Sequence, residues 1–323
     1  MDHILSLACT LSDRTRPVVE GRIGVPGFRF EATLGEPEEL FRRALRERAF
    51  AVTELSMGSH IVTTARGDAA YTGVPVFLSR AFRHSGIFVR TDRDIRTLAD
   101  LRGRRVALPE YQQTAAMWVR GILRDECGID ARAIEWVTGS QEVPGGTERV
   151  ALKLPDDIRV TPIGPEETLN GLLASGAVDA LVTPRPPSCF TQKSAPVDRL
   201  FPDYRAAETD WHRKTGFFPI MHCLAVRNDI AAAHPDLPLA LFKAFAAAKA
   251  EALADLARGN FLRVALPWVT AHLEETRAVM GPNIWTYGLP ANRAEIAAMT
   301  RFAASDGLAA RGVTPEELSL IHI

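Results

Sequence analysis

The sequence predicts an α/β fold in two lobes with a ligand cleft between them. Short apolar runs rich in β-branched residues alternate with amphipathic helical patterns, as parallel sheets covered by helices require. After two such series the apolar run 217–226 resumes strand character, so the chain leaves its first lobe, builds a second and returns. Two crossings imply a hinge, and ligands of such folds bind where loops converge at the C-terminal ends of the strands.

Runs 4–9, 28–33 and 50–55 are predicted strands. A helix between the last two starts near Pro37-Glu38-Glu39, where proline suits a first turn and acidic residues suit the positive end of the helix dipole. Two extended runs, 74–78 and 86–90, lead to the polar break Asp92-Arg93-Asp94, where the lobe crossing is placed. Beyond it come a strand at 104–108, a helix at 114–126 closing before Gly128, strands at 134–137, 159–163 and 180–183, and a helix at 166–174. Helical patterns at 237–256, 266–280 and 292–307 follow the return strand; the alanine-rich stretch 244–257 has a core face in Leu241, Phe245, Leu253 and Leu256. The expected lobes are 1–91 with 218–317, and 92–217.

At 323 residues and 46% hydrophobic the chain has material for a large core. Its net charge of −1 offers no general attraction to nucleic acid or an anionic membrane, so its cations must act locally and a small-molecule partner is favoured. Cys9, Cys127, Cys189 and Cys223 form no Cys-x-x-Cys pair and are expected to be reduced. Met1-Asp2-His3 leads directly into the first apolar run without a secretory pattern, so a cytoplasmic location is expected. The ending Leu318-Ser319-Leu320-Ile321-His322-Ile323 matches the translation of an end sequence used in transposon-based library preparation and is expected to be a read-through artefact.

The most informative stretch is Pro75-Val76-Phe77-Leu78-Ser79-Arg80-Ala81-Phe82-Arg83-His84, which ends a buried strand with two arginines and a histidine within five positions. A guanidinium matches a carboxylate with two hydrogen bonds, and an imidazole beside it moves a proton near neutral pH. Other loops after strands supply Thr10 and Asp13, then Glu54, Ser56 and His60. In Pro109-Glu110-Tyr111-Gln112-Gln113-Thr114 a strand passes into a helix whose free amides and hydroxyls suit an anion, although Thr114 also reads as a simple cap. Trp118 reads as core and Arg120 as a surface or inter-lobe ion pair. Prolines on both sides stiffen Arg185, and His222 opens the return strand within expected reach of His84. No nucleotide-binding glycine motif or nucleophile elbow occurs, and a metal at His60, His84, His222 and Glu54 is left open.

Taken together, Asp13-Arg14-Thr15-Arg16-Pro17, the stretch from Phe77 to His84, Pro109 to Ala115 with Trp118-Val119-Arg120-Gly121, Arg199-Leu200-Phe201-Pro202-Asp203 and Thr215-Gly216-Phe217-Phe218-Pro219-Ile220-Met221-His222 resemble the 4,5-dihydroxyphthalate decarboxylase family. The resemblance implies the type 2 periplasmic-binding-protein-like fold and cofactor-independent decarboxylation of an aromatic carboxylate, 4,5-dihydroxyphthalate giving protocatechuate and carbon dioxide. Under it, Glu54 or Glu110 would be the base, His84 or His222 the acid, and Arg80, Arg83 and Arg185 the carboxylate clamp, with Thr10, Asp13, Ser56, Tyr111, Gln112 and Thr114 lining the substrate. The alternative on the same fold is a non-catalytic solute-binding protein. Cys127-Gly128 and the segment 145–157 have no place in the family pattern.

Overall fold

In the computed structural model, which describes residues 2–323, strands β1 (His3–Cys9), β2 (Phe28–Leu34), β3 (Val52–Ser56), β4 (Tyr71–Arg80) and β11 (Ile220–Arg227) form one sheet in the order β2-β1-β3-β11-β4. A second sheet has the order β10-β5-β9-β6-β7-β8, from β5 (Ile87–Arg90), β6 (Arg105–Leu108), β7 (Glu135–Thr138), β8 (Val160–Pro162), β9 (Ala180–Val182) and β10 (Val197–Arg199). In the first sheet β1, β2 and β3 are parallel, and β11 runs antiparallel between β3 and β4. β3 is buried along its whole length, so both faces of the sheet are covered at this strand.

The chain passes between sheets earlier than the polar break at Asp92-Arg93-Asp94 suggests. Ile87–Arg90 already belongs to the second sheet, antiparallel to β9 and β10, so the passage lies between Arg80 and Ile87. Asp92 receives Arg90, whose Nε and Nη2 donate to its two oxygens at 2.9 and 2.6 Å. The return falls between Arg199 and Ile220 and seats β11 inside the first sheet, between β3 and β4, with His222 opposite Ser56 of β3 and Ser79 of β4.

β4 bulges against β11, and Pro75 within it has no N–H to give to the ladder. The displaced carbonyls find other donors: Gly288 N at Pro75 O (2.8 Å) and Trp285 Nε1 at Phe77 O (2.7 Å). This bulge decides where the end of the strand points. The Arg80 guanidinium turns into the protein, donating to Phe218 O (2.6 Å), Thr286 O (2.9 Å) and Asn292 and pairing with Glu295 at 3.2 Å. Glu295 in turn accepts from Ile220 N at 2.6 Å, so one buried ion pair fastens the end of β4 and the start of β11 to helix Leu289–Ser305.

That helix also packs on Thr114–Cys127. A Cβ at Gly121 would sit 2.4 Å from the Phe302 ring, so the helices meet this closely only because position 121 carries no side chain. Beside it Arg120 is buried against Asp306 at 2.5 Å, not at the surface, and Trp118 donates to Ile220 O at 2.9 Å. Residues 318–323 lie along β4, with Leu320 N donating to Gly73 O at 2.8 Å. The Arg80 geometry sets a first expectation. Arg80→Ala leaves Glu295 buried and unpaired, so urea unfolding should show a loss of about 3–5 kcal/mol; a loss below about 1 kcal/mol, the range of exposed pairs, would contradict this role.

Candidate functional site

Between the sheets lies a cavity of about 320 Å³, with His222, Ser79, Arg83, Thr114 and Arg149 on its walls. It adjoins a wider cavity of about 570 Å³, and Glu38, Gln113, Arg149 and Arg185 face both.

One wall is a carboxylate–imidazole pair. Glu54, wholly buried on β3, accepts from His222 Nδ1 at 2.6 Å and, on its other oxygen, from Thr10 N at 2.7 Å and Thr10 Oγ1 at 2.8 Å. Burial alone would raise the Glu54 pKa, but the hydrogen bond and charge of His222 and the Thr10 donors outweigh it, leaving the carboxyl below its usual value. An ionised Glu54 accepts the Nδ1–H of His222, so the exchangeable position is Nε2, which no protein group engages among the described residues. The Phe41 ring stands edge-on to the imidazole at 4.7 Å.

The opposite wall is a helix start. Thr114 Oγ1 meets Ser56 Oγ at 2.9 Å and accepts from Gly58 N at 2.9 Å, so the first turns of Met57–Arg66 and Thr114–Cys127 abut. A Cβ at Gly58 would lie 2.4 Å from Gln112 O, which makes glycine a condition of that contact. Arg83, half-buried, donates Nε to Met221 Sδ at 3.1 Å, and among the described residues no carboxylate forms an ion pair with it. Burial pushes its pKa down to about 10, against the pull of Glu208; the cation costs free energy that a bound anion would recover.

At the far side, residues 110–111 and 148–149 exchange bonds: Glu110 Oε1 accepts from Arg149 N at 3.1 Å, and Glu148 Oε1 accepts from Tyr111 N at 2.5 Å. Arg149 Nη2 also pairs with Glu110 Oε2 at 2.9 Å. Burial raises Glu110 despite Arg149, and it raises Glu148 to about 7. Arg185 reaches across the cleft to Glu38 at 2.9 Å and Glu36 at 3.3 Å; being exposed, this bridge is worth less than about 1 kcal/mol and opens readily.

Of the residues expected at the site, His222, Glu54, Thr10, Ser56, Thr114, Arg83, Glu110 and Arg185 gather at or directly behind the cavity walls. The others do not. Arg80 is spent on Glu295. Tyr111 is buried, its hydroxyl donating to Asp306 O at 3.1 Å, and Gln112 accepts from Ser59 Oγ at 2.6 Å. Asp13 is exposed and paired with Arg14 at 2.6 Å. His84 lies in a separate pocket of about 440 Å³, against Phe201 and Trp211, and is not paired with His222. His60 bonds Leu318 O at 3.0 Å, so of the four side chains considered for a metal only Glu54 and His222 meet. Among the described residues, no group of three or more His, Cys, Asp or Glu side chains could hold a metal ion.

Sequence reasoning missed Ser79, Gln113, Phe41 and Arg149. Strand alternation carried the signal for Ser79, which must face away from the side that Arg80 occupies. Arg149 sits in a segment without periodicity.

No family model matches the chain. Among solved structures it is similar to the periplasmic aliphatic sulphonate binding protein SsuA from Escherichia coli (15% identity, TM-score 0.53, 99% of this chain and 98% of that one). It is also similar to the alkanesulfonate-binding protein SsuA from Xanthomonas axonopodis pv. citri (15%, TM-score 0.51, 95% and 94%). The fold is therefore the two-lobed, periplasmic-binding-protein-like class. Sequence similarity is far stronger to two enzymes. The chain is 42% identical over 317 residues to the 4,5-dihydroxyphthalate decarboxylase of Comamonas testosteroni, covering 97% of this chain and 95% of that protein. It is 45% identical over 213 residues to the enzyme of that name from Pseudomonas putida, covering 66% and 83%. The chain belongs to the 4,5-dihydroxyphthalate decarboxylase family.

The pocket around His84 yields a test of its structural role. Burial pushes its pKa from 6.5 to about 4, so on acidification the unfolded chain takes up a proton before the folded one does. Stability is therefore lost as pH falls from about 6.5 towards about 4, and His84→Phe should remove about 2–3 kcal/mol of that loss. Urea unfolding of both proteins at pH 7 and pH 4.5 measures it; equal acid losses would show that His84 is not held neutral.

Proposed function

We propose that the chain decarboxylates 4,5-dihydroxyphthalate to protocatechuate in the cavity between the lobes, with His222 carrying the proton. The observation that supports this reading most is the buried Glu54–His222 pair, which keeps an imidazole fixed in the wall of a cavity that also presents a guanidinium with no carboxylate on it.

Each carboxylate of this substrate is para to a hydroxyl. Loss of the phenolic proton sends electron density to the ring carbon bearing the departing carboxylate, and His222 Nε2–H protonates that carbon. The bond to the carboxylate then breaks, its electron pair restores the aromatic phenolate, and carbon dioxide leaves. One proton from solvent returns to the imidazole. The ring is its own electron sink, so no organic cofactor is called for. Glu54 acts as a positioning residue behind His222. Glu110, kept weakly acidic by burial, is assigned the phenolic proton. Arg83 holds a substrate carboxylate beside the free amides of the Thr114–Cys127 helix start.

The decarboxylase relatives, at 42% and 45% identity, favour an enzyme over a non-catalytic carrier, because the binding proteins at 15% speak for the fold alone. No helix among the described residues is long and apolar enough to cross a membrane, and all four cysteines are free, which suits the reducing cytoplasm we propose for it.

Incubation of purified protein with 4,5-dihydroxyphthalate, followed by release of carbon dioxide and formation of protocatechuate, tests the activity. His222→Gln should lower turnover by about 10²–10⁴-fold while leaving substrate affinity nearly intact. Near-native turnover of that variant would move the proton to another group.

A further inference from the structure

Three guanidinium groups, Arg83, Arg149 and Arg185, face the smaller cavity from different elements, and they differ in what already occupies them. Arg83 comes from the passage between the sheets and has no carboxylate partner among the described residues. Arg149 comes from the segment 145–157 that the family pattern left unplaced. Only Nη2 of its guanidinium is engaged, by Glu110 at 2.9 Å; no protein group bonds Nη1 or Nε among the described residues. Its side chain is 7% exposed, against 60% for Arg185, so a charge brought to Arg149 meets a largely desolvated cation and one brought to Arg185 a hydrated one. The exchange of bonds between residues 110–111 and 148–149 fixes the backbone from which Arg149 projects. Its guanidinium also lies over the Phe41 ring at 5.2 Å, the ring that stands against His222.

We infer that Arg149 is the specificity-determining residue for the second of two vicinal carboxylates, so that the cavity selects ortho-dicarboxylates over aromatic monocarboxylates. This rests on the function proposed above. A single carboxylate goes to Arg83, with which no carboxylate forms an ion pair among the described residues, whereas Arg149 must share its charge with Glu110 and is worth engaging only when a second carboxylate is carried to it by the same ring. Arg83 thus supplies affinity for either class of ligand, and Arg149 supplies the difference between them. The product of the reaction has lost one carboxylate and with it one of the two contacts, which favours its release.

Phthalate and benzoate, which carry two and one carboxylates and no hydroxyls, are the probes, with calorimetric affinities for the native chain, Arg149→Gln and Arg83→Gln. The native chain should bind phthalate at least about 30-fold more tightly than benzoate, the effect of one desolvated charge pair. Arg149→Gln should remove that preference and leave benzoate binding unchanged, and Arg83→Gln should weaken both ligands. Arg149→Lys should restore part of the preference. Because Arg149→Gln leaves Glu110 buried without its cation, Arg149→Gln with Glu110→Gln is measured beside it and should show the same lost preference. Equal weakening of both ligands by the Arg149 variants, or an unchanged preference, overturns the inference. So does a native chain without preference that still turns over 4,5-dihydroxyphthalate, which leaves the proposed reaction standing. A native chain that prefers phthalate and loses the preference in Arg149→Gln, yet releases no carbon dioxide from 4,5-dihydroxyphthalate, supports the inference and sinks the reaction.

Discussion

A carboxylate removed entirely from water must be compensated or it protonates, and the site is arranged around that demand at Glu54. Three donors meet it: the amide and hydroxyl of Thr10 on one oxygen and the His222 imidazole on the other. Thr10 follows β1, Glu54 lies in β3 and His222 in β11, so the compensation exists only when three strands from distant parts of the chain lie side by side. The return of β11 between β3 and β4 is what supplies the histidine. The fold and the Glu54–His222 pair are in this sense one arrangement.

The fold class, the alternation of elements and the return near residue 217 were readable because apolar periodicity reports which face of a strand or helix is buried. Glu54 was legible as a residue supplied after the third predicted strand and His222 as one opening the return strand, although which carboxylate would meet which histidine was not. That depends on the register of β11 against β3, where Leu224 pairs with Glu54 and His222 with Ser56, and register is set by packing far away in sequence. The cluster at the end of β4 misled for a local reason. Arg80, Arg83 and His84 are close in sequence, yet a bulged strand and a short 3₁₀ turn send Arg80 to Glu295, His84 to Phe201 and Trp211, and only Arg83 to the cavity. Arg149 carried no signal because its segment has neither strand nor helix period, and its position comes from the carboxylates of Glu110 and Glu148.

The walls of the cleft carry Arg83, which has no carboxylate partner among the described residues, and the abutting helix starts at Ser56 and Thr114. What the proposed reaction adds is small in extent: one imidazole on a strand inside the sheet, held through Nδ1 by Glu54. At the rim of the cleft the exposed Arg185 contacts to Glu36 and Glu38 cost little to break.

The central claim is the location of the chemistry, and a crystal structure with phthalate bound tests it most directly. The account predicts the diacid in the cavity of about 320 Å³, one carboxylate on Arg83 and a ring carbon facing His222 Nε2. Density for the diacid beside His84, between Phe201 and Trp211, with the His222 cavity filled only by water, would contradict it.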